Sequence, residues 1–411
     1  MPSIDTCRED FPILRRQIYG NPLIYLDNAA TVQMPTPVLD CIREHYTCHN
    51  GNVHRGIHLL SEESTAALEA AREIVRRFLK ADDTPQIIFT SGCTDSINYV
   101  ARGLAAQIQH GDEIIVSALE HHSNFVPWQQ LCREKGAQLR ILPVSNGIPD
   151  MTAYYRLLNK RTKVVAVTHI SNLTGTVFPI AEIISAAKVV GAYTLIDGAQ
   201  SVRHGIAQAV QAGCDFCCFS GHKVMAPTGI GVLYGRLSAL EQLIPARFGG
   251  GMVDRVEDEY TSYGPLPSRL EAGTPNYVGA IALGAALQYL EALGLEAVEA
   301  QEDRLLKALE AQLADSSSIH ILGAPARRAG ALSLTVDGVH PYDLACLLDK
   351  EGIAVRSGSH CAQPGLRTFG ISGALRVSPA FYNTIEEITR FCTALHHCIG
   401  LLQKWSTNDH S

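Results

Sequence analysis

The chain has 411 residues, 46% of them hydrophobic and 18% charged, with a formal net charge of -7. That length exceeds what one growing core accommodates, so two or more domains are expected. Lysines and arginines are scattered under a net negative charge, which excludes the basic footprint of a nucleic-acid binder or of a protein bound to an anionic membrane.

The opening MPSIDTCREDFPIL lacks the charged and then apolar pattern of a secretory leader. Several of the twelve cysteines, Cys217, Cys218 and Cys392 among them, lie inside apolar runs. Free, mostly buried thiols in a reducing compartment are therefore expected, and a cytoplasmic location with them. The longest weakly polar run, residues 277–290, contains glycine and glutamine and is too short to span a bilayer.

From residue 86 to 235 short β-rich runs alternate with helical patterns. The runs are QIIFTSG, DEIIVSALEH, AQLRILPV, KVVAVTHIS, AYTLIDGAQ, CDFCCFSGHK and IGVLYG; helical spacing intervenes at Pro127–Lys135 and Ile180–Val190. Nearly all-apolar strands separated by helices predict a mainly parallel sheet of seven strands, covered on both faces. Ligands bind such sheets beyond the carboxyl ends of the strands. Those ends carry the polar clusters Ser91-Gly92-Cys93-Thr94, Glu120-His121-His122, His169-Ile170-Ser171-Asn172, Asp197-Gly198-Ala199-Gln200 and Ser220-Gly221-His222-Lys223. After Gly273-Thr274-Pro275-Asn276 one continuous helical pattern runs from Val278 to Gln312. A smaller α/β unit follows: ALSLTVDG, PYDLACLLDKEG, IAVRSG, the loop RSGSHCAQP, ALRVSPA and a final helix from Thr384. The expected division is a large domain of residues 27–285 and a small domain of residues 1–26 and 286–411 that carries the Cys361 loop.

Lys223 follows a buried strand, where an unemployed lysine is expensive. Asp197 ends a strand 26 residues earlier. A Schiff-base lysine with an aspartate on the ring nitrogen describes a pyridoxal 5'-phosphate site. Ser91–Thr94 opens a helix after a strand, so its N–H groups and the Thr94 hydroxyl suit a phosphate. Ser220 and His222 add donors, His121 is placed to lie over the ring as acid or base, and Gln200 and Asn172 to reach the ring hydroxyl. Singly, each has a plainer reading as a helix start, a turn or a surface pair. Metal ligation by His121 and His122 is discounted for want of a matching cluster. Cys214-Asp215-Phe216-Cys217 has redox-motif spacing; inside a strand its two thiols point to opposite faces, so it reads as core.

The segments SGHKVMAPTGIG, LIDGAQ, THISN, EHHSNFVPW, VHRGIH, RLEAGTPN and RSGSHCAQP, in that company, resemble the pyridoxal-phosphate cysteine desulfurases of aminotransferase class V. The likeness is greatest to the SufS-type group, which includes selenocysteine lyases, and it extends from about residue 10 to the final helix. It implies a fold-type I homodimer with active sites at the subunit interface. Lys223 would carry the cofactor, Asp197 would pair with the ring nitrogen, His121 would stack on the ring, and Gln200 would contact the ring hydroxyl. Thr94, Ser220 and His222 would bind the phosphate with Thr274 from a partner subunit. Arg376 would grip the substrate carboxylate beside Asn172, His54 and Arg55 would reach in from the partner, and Ala29 and Ala30 would line the substrate pocket.

Two residues depart from that pattern. Cys93 stands where a second threonine is common, so one phosphate hydroxyl is either missing or replaced by a weak thiol donor. Ser359 stands where histidine is common. The implied reaction converts L-cysteine to L-alanine: Cys361 takes the sulfur as a persulfide and hands it to an acceptor protein for iron–sulfur or other thio-cofactor assembly. L-selenocysteine is not distinguished from L-cysteine. Gly358, Ala362 and Gly365 would let the loop approach the cofactor and swing outward. The rival readings are a lyase releasing pyruvate and ammonia without Cys361, a class V transaminase, and a sulfur-relay partner without turnover.

Overall fold

The computed structural model describes residues 3–408, with side chains described through residue 404. Seven strands form the central sheet: β1 Ile87–Thr90, β2 Glu113–Ser117, β3 Gln138–Leu142, β4 Thr162–Thr168, β5 Tyr193–Asp197, β6 Phe216–Ser220 and β7 Gly231–Gly235. Their spatial order is β1-β7-β6-β5-β4-β2-β3. Only β7 runs against its neighbours. Every residue of β2, β6 and β7 is buried, as two-sided cover requires.

Alternate residues feed two cores. Ile115, Val165, Ile196, Phe219 and Val232 join helices α1 Leu59–Leu79, α4 Ile180–Val189 and α5 Tyr277–Leu293 on one face. Ile114, Val164, Leu195, Phe216 and Leu233 join α2 Cys93–Gly103 and α3 Val126–Lys135 on the other. The polar strand ends expected from sequence therefore emerge along one edge of a well-packed sheet. At that edge a Cβ on Gly231 would lie 2.4 Å from Gly92 Cα. The bare contact seats the start of α2 directly against β7.

Two expectations are corrected. The helical pattern of residues 278–312 is two helices, α5 and α6 Leu295–Leu313, which meet at 77°. Gly294, with φ of +84°, makes the break. Leucine periodicity continues across it because each helix has its own core to face. Leu283 and Leu287 of α5 pack on the large sheet, whereas Leu305, Leu309 and Leu313 of α6 pack in a third core. Secondly, β6 begins at Phe216, so Cys214 precedes it and strand alternation does not apply. Cys214 and Cys217 lie in the same core. Among the described residues no single helix is long and apolar enough to cross a membrane.

The third core belongs to a four-stranded antiparallel sheet of β8 Ile319–Ile321, β9 Leu332–Val336, β10 Arg356–Gly358 and β11 Ala374–Val377, ordered β8-β9-β11-β10. It packs under α6, α7 Pro341–Lys350 and α9 Ile385–Asn408. A short helix, α8 Gln363–Thr368, lies between β10 and β11. The N-terminal segment stitches the units together. Ile24–Tyr25 pairs in parallel with Ile353–Ala354, and Ile24 and Leu26 enter the third core while Phe11 and Leu14 enter the first.

A buried ion pair ties α6 to the lysine-bearing turn. Arg203 and Glu302 are 2% and 1% exposed. Arg203 donates to both Glu302 oxygens at 3.2 Å and, through Nη1, to the Lys223 carbonyl at 2.8 Å. Burial would raise the Glu302 carboxyl, but Arg203 and His204 beside it outweigh that and bring it down to about 2. Arg203→Met, which removes the main counter-charge of that buried carboxylate, is expected to destabilise the protein by about 3–5 kcal/mol in urea unfolding. The double variant with Glu302→Met should recover much of the loss. An unchanged single variant would mean that water reaches Glu302.

Candidate active site at the strand ends

A cavity of about 470 Å³ opens where the large sheet's strand ends meet the small unit. That volume lies within the range of about 300–1,000 Å³ usual for small-molecule sites. Thirteen expected residues line it: Cys93, Thr94, His121, Asn172, Asp197, Gln200, Ser220, His222 and Lys223 from the large unit, Ala29 and Ala30 from the N-terminal segment, and Cys361 and Arg376 from the small unit. His54, Arg55 and Thr274 do not. They are exposed around a second cavity of about 420 Å³, with Gly251 and Glu271.

Asp197 ends β5. Its Oδ1 accepts from Ala199 N at 2.9 Å and from Cys93 Sγ at 3.2 Å. Burial pushes its carboxyl up, with the Ala199 N–H as the main opposing influence. Lys223 sits on the turn after β6, and its Nζ donates to the Ala29 carbonyl, which also accepts from Gln200 Nε2 at 2.8 Å. Enclosure, and then the charge of Arg376, lower the Lys223 ammonium from 10.5 to about 7. His121 bonds Ser123 through Nδ1, with Oγ at 2.7 Å and the backbone N–H at 3.1 Å, which leaves Nε2 for the cavity. Burial and Lys223 lower His121 to about 4, so its ring is neutral at pH 7. His222 is brought to about 4 by the same two causes.

The end expected to hold phosphate is built from backbone. Gly92 adopts φ of +152°, and a Cβ there would lie 3.3 Å from Ser220 Oγ. Ser220 Oγ accepts the Cys93 N–H at 2.8 Å, which keeps its own proton for a ligand. The Thr94 hydroxyl is exposed on the first turn of α2. Cys93 corrects the sequence reading. Its thiol does not stand in at the phosphate end but points down, against Asp197 and, at 3.4 Å, Cys218 Sγ.

The small unit supplies the opposite wall. Arg376, 3% exposed on β11, donates from Nη2 to Asp27 Oδ1 at 3.1 Å and from Nη1 to the Asn172 carbonyl at 3.3 Å. Among the described residues its buried Nε has no partner. Arg356 grips the same carboxylate, with Nε and Nη2 at 3.0 and 2.9 Å from Asp27 Oδ2. Sequence reasoning gave neither Asp27 nor Arg356 a role. The available signals were an aspartate just before Asn28-Ala29-Ala30 and a base opening RSGSHCAQP.

Cys361 is one of three exposed thiols, with Cys48 and Cys346. His360 and Cys361 both take positive φ, +51° and +52°, a conformation costing about 1–3 kcal/mol per residue. Tethers to the large unit hold it. Asn172 Nδ2 donates to the His360 carbonyl at 2.8 Å, and His122 N to the Cys361 carbonyl at 2.7 Å. Burial, and then Arg376, lower His360 to about 4. The expectation that Ala362 and Gly365 serve loop movement is corrected. Both are buried, and Gly365 sits in α8, where a Cβ would lie 3.1 Å from Leu119 and Leu173. They fasten the loop.

A family model, aminotransferase class-V, matches residues 24–391. The chain is 44% identical over 404 residues to a probable cysteine desulfurase of Vibrio cholerae, covering 98% of this chain and all of that one. The chain belongs to the aminotransferase class-V family, among its cysteine desulfurases. It is also 47% identical over 395 residues to a cysteine desulfurase of Synechococcus elongatus, covering 95% of this chain but 63% of that longer relative. The crystal structure of the Escherichia coli cysteine desulfurase CsdA superposes with a TM-score of 0.90 at 37% identity, over 98% of this chain and 99% of that one. An apo cysteine desulfurase of Thermococcus onnurineus gives 0.91 at 37% identity, over 97% and 98%.

Enzymes of this family use pyridoxal phosphate, and the cavity fits it. A glycine-walled helix start faces Ser220, a lysine depressed toward neutrality faces the interior, and a buried carboxylate closes the floor. Only a neutral amine is nucleophilic. Covalent uptake of pyridoxal phosphate by the cofactor-free protein should therefore rise with pH through a midpoint near 7, the depressed Lys223 value. Stopped-flow absorbance across the pH range measures it; a midpoint near 10 would show an ordinary, solvated lysine.

Proposed function

We propose that this protein is a cysteine desulfurase that removes sulfur from L-cysteine, leaves L-alanine, and carries the sulfur as a persulfide on Cys361. One observation carries the reading: an exposed thiol, on a strained loop tethered by its backbone, lines the same cavity as Lys223 and Asp197. The similarity to named cysteine desulfurases over nearly the whole chain supports it. A transaminase has no use for that thiol.

When bound, pyridoxal phosphate supplies the electron sink that makes the substrate α-proton removable. The protein's own groups do the rest. Asp197 would hold the ring nitrogen, and neutral His121 would cover the ring without adding charge. Thr94, Ser220 and His222 would hold the phosphate, and Gln200 would contact the ring hydroxyl. The Nε of Arg376, without a partner among the described residues, supports docking of the substrate carboxylate there, with Arg356 and Asn172 alongside. Lys223, titrating at about 7, accepts the α-proton and returns it to carbon at near-neutral pH. Cys361 attacks as thiolate: its S–S bond forms as the substrate Cβ–S bond breaks, and the electron pair goes to carbon. The persulfide then faces an acceptor protein, in iron–sulfur or other thio-cofactor assembly. L-selenocysteine offers the same geometry. A thiol that must remain free supports a reducing compartment, and with it the proposed cytoplasmic location.

The homodimer belongs to the same proposal. His54, Arg55 and Thr274 lie off the main cavity, and chain segments adjoining that second cavity's lining expose the apolar side chains Ile57 (98%), Leu59 (67%) and Phe248 (64%). A second copy seated there would bury them and bring the three polar residues to its cavity. Light scattering at micromolar protein should give twice the chain mass. A monomer would contradict it.

With L-cysteine and a thiol reductant, wild type should give alanine and sulfide in equal amounts. Cys361→Ala should lose both by about a hundredfold or more while retaining the cofactor. Equal formation of pyruvate and ammonia by both proteins would instead identify an eliminating lyase.

A further inference from the structure

Asp197 presents its two oxygens to different surroundings. Oδ1, on the buried side, accepts from Ala199 N at 2.9 Å and from Cys93 Sγ at 3.2 Å. Among the described residues Oδ2 accepts no hydrogen bond, and Asp197 lines the cavity. The two donors fix the carboxylate's rotation and aim its free oxygen at the place a ring nitrogen would occupy. Cys93 is well set for this. It is 4% exposed, its backbone N–H is held by Ser220 Oγ at 2.8 Å, and its Sγ rests against Cys218 Sγ at 3.4 Å. The side chain therefore has support behind it and a carboxylate in front.

We propose that Cys93 is a positioning residue for the desulfuration reaction: its S–H donates to Asp197 Oδ1 and holds Oδ2 toward the cofactor's ring nitrogen. The inference rests on the assignment of Asp197 to that nitrogen. The contact with the Cys218 thiol, then burial and the neighbouring carboxylate, keep the Cys93 thiol well above its ordinary 9.0, so it remains a donor across the working range. The same proton makes it unsuited to nucleophilic or redox work. One residue thus links the two ends of the cofactor site, by its N–H to Ser220 at the phosphate end and by its S–H to Asp197 at the ring end. A hydrogen bond to a buried charge is among the stronger kinds, although a thiol is a weak donor.

The test uses the full-length protein stripped of cofactor and titrated with pyridoxal phosphate. Four variants are compared with wild type: Cys93→Ala, Cys93→Ser, Cys218→Ala and Asp197→Asn. The readouts are the dissociation constant and the pH midpoint of the loaded protein's visible band. Cys93→Ala should weaken binding about three- to tenfold and move the midpoint. Cys93→Ser, which restores a donor, should return both toward wild type. Cys218→Ala, which removes similar volume and the contact behind Cys93 but leaves the Cys93 donor in place, should move the midpoint less than Cys93→Ala does. If Cys93→Ala matches wild type, or if Ser fails to rescue and Cys218→Ala shifts the band equally, the thiol is packing only and the proposal falls. Asp197→Asn separates the two readings. If it too changes nothing, the assignment of Asp197 to the ring nitrogen is what failed.

Discussion

Lys223 loses its ordinary charge because it is walled in, and the rest of the site depends on that enclosure. A lysine at about 7 rather than 10.5 is both base and acid at working pH, as one group that removes and returns a proton must be. The enclosure is built from three directions: the ends of the buried β5 and β6, the Ala29 carbonyl from the N-terminal segment, and Arg376 from the small unit. No single domain supplies it. Arg203 extends the arrangement beneath the lysine, fixing its carbonyl while bonding Glu302 on the helix that leads to the small unit.

The small unit brings opposite demands. In its proposed role Arg376 stays buried and charged to meet a carboxylate, and Asp27 makes that tolerable by sharing its oxygens between Arg376 and Arg356. An unpaired buried guanidinium would be costly; a fully paired one would leave nothing for substrate. Among the described residues the Arg376 Nε keeps no partner, which lies between these extremes. The Cys361 loop shows the same economy. Two residues in left-handed conformation push the thiol outward, while Asn172, His122 and the buried Ala362 and Gly365 keep the loop's flanks in place.

The strand ends were legible because burial on both faces makes parallel strands nearly all apolar, so each polar cluster stands out against its run. Lys223, Asp197 and His121 were found in that way, Cys361 stood out instead as a thiol in a loop of small residues, and one cavity gathers all four. What escaped were interactions set by the third dimension. Asp27 and Arg356 look like ordinary surface charges until they are seen meeting 329 residues apart along the chain. The family's threonine at position 93 suggested a thiol at the phosphate as one of two alternatives, but the Cys93 side chain turns toward Asp197. The break at Gly294 hid inside an unbroken leucine rhythm, since either side of the bend has a core to satisfy. Periodicity reports that a face is buried, not against what.

The central claim is that the sulfur leaves the substrate on Cys361, and mass spectrometry tests it most directly. The protein is mixed with L-cysteine without reductant, quenched, alkylated and digested. The account predicts that the peptide containing Cys361 gains the mass of one sulfur atom, with alanine released in equal amount, and that peptides containing the exposed Cys48 and Cys346 gain none. Alanine or pyruvate released with no added sulfur on Cys361 would contradict the account.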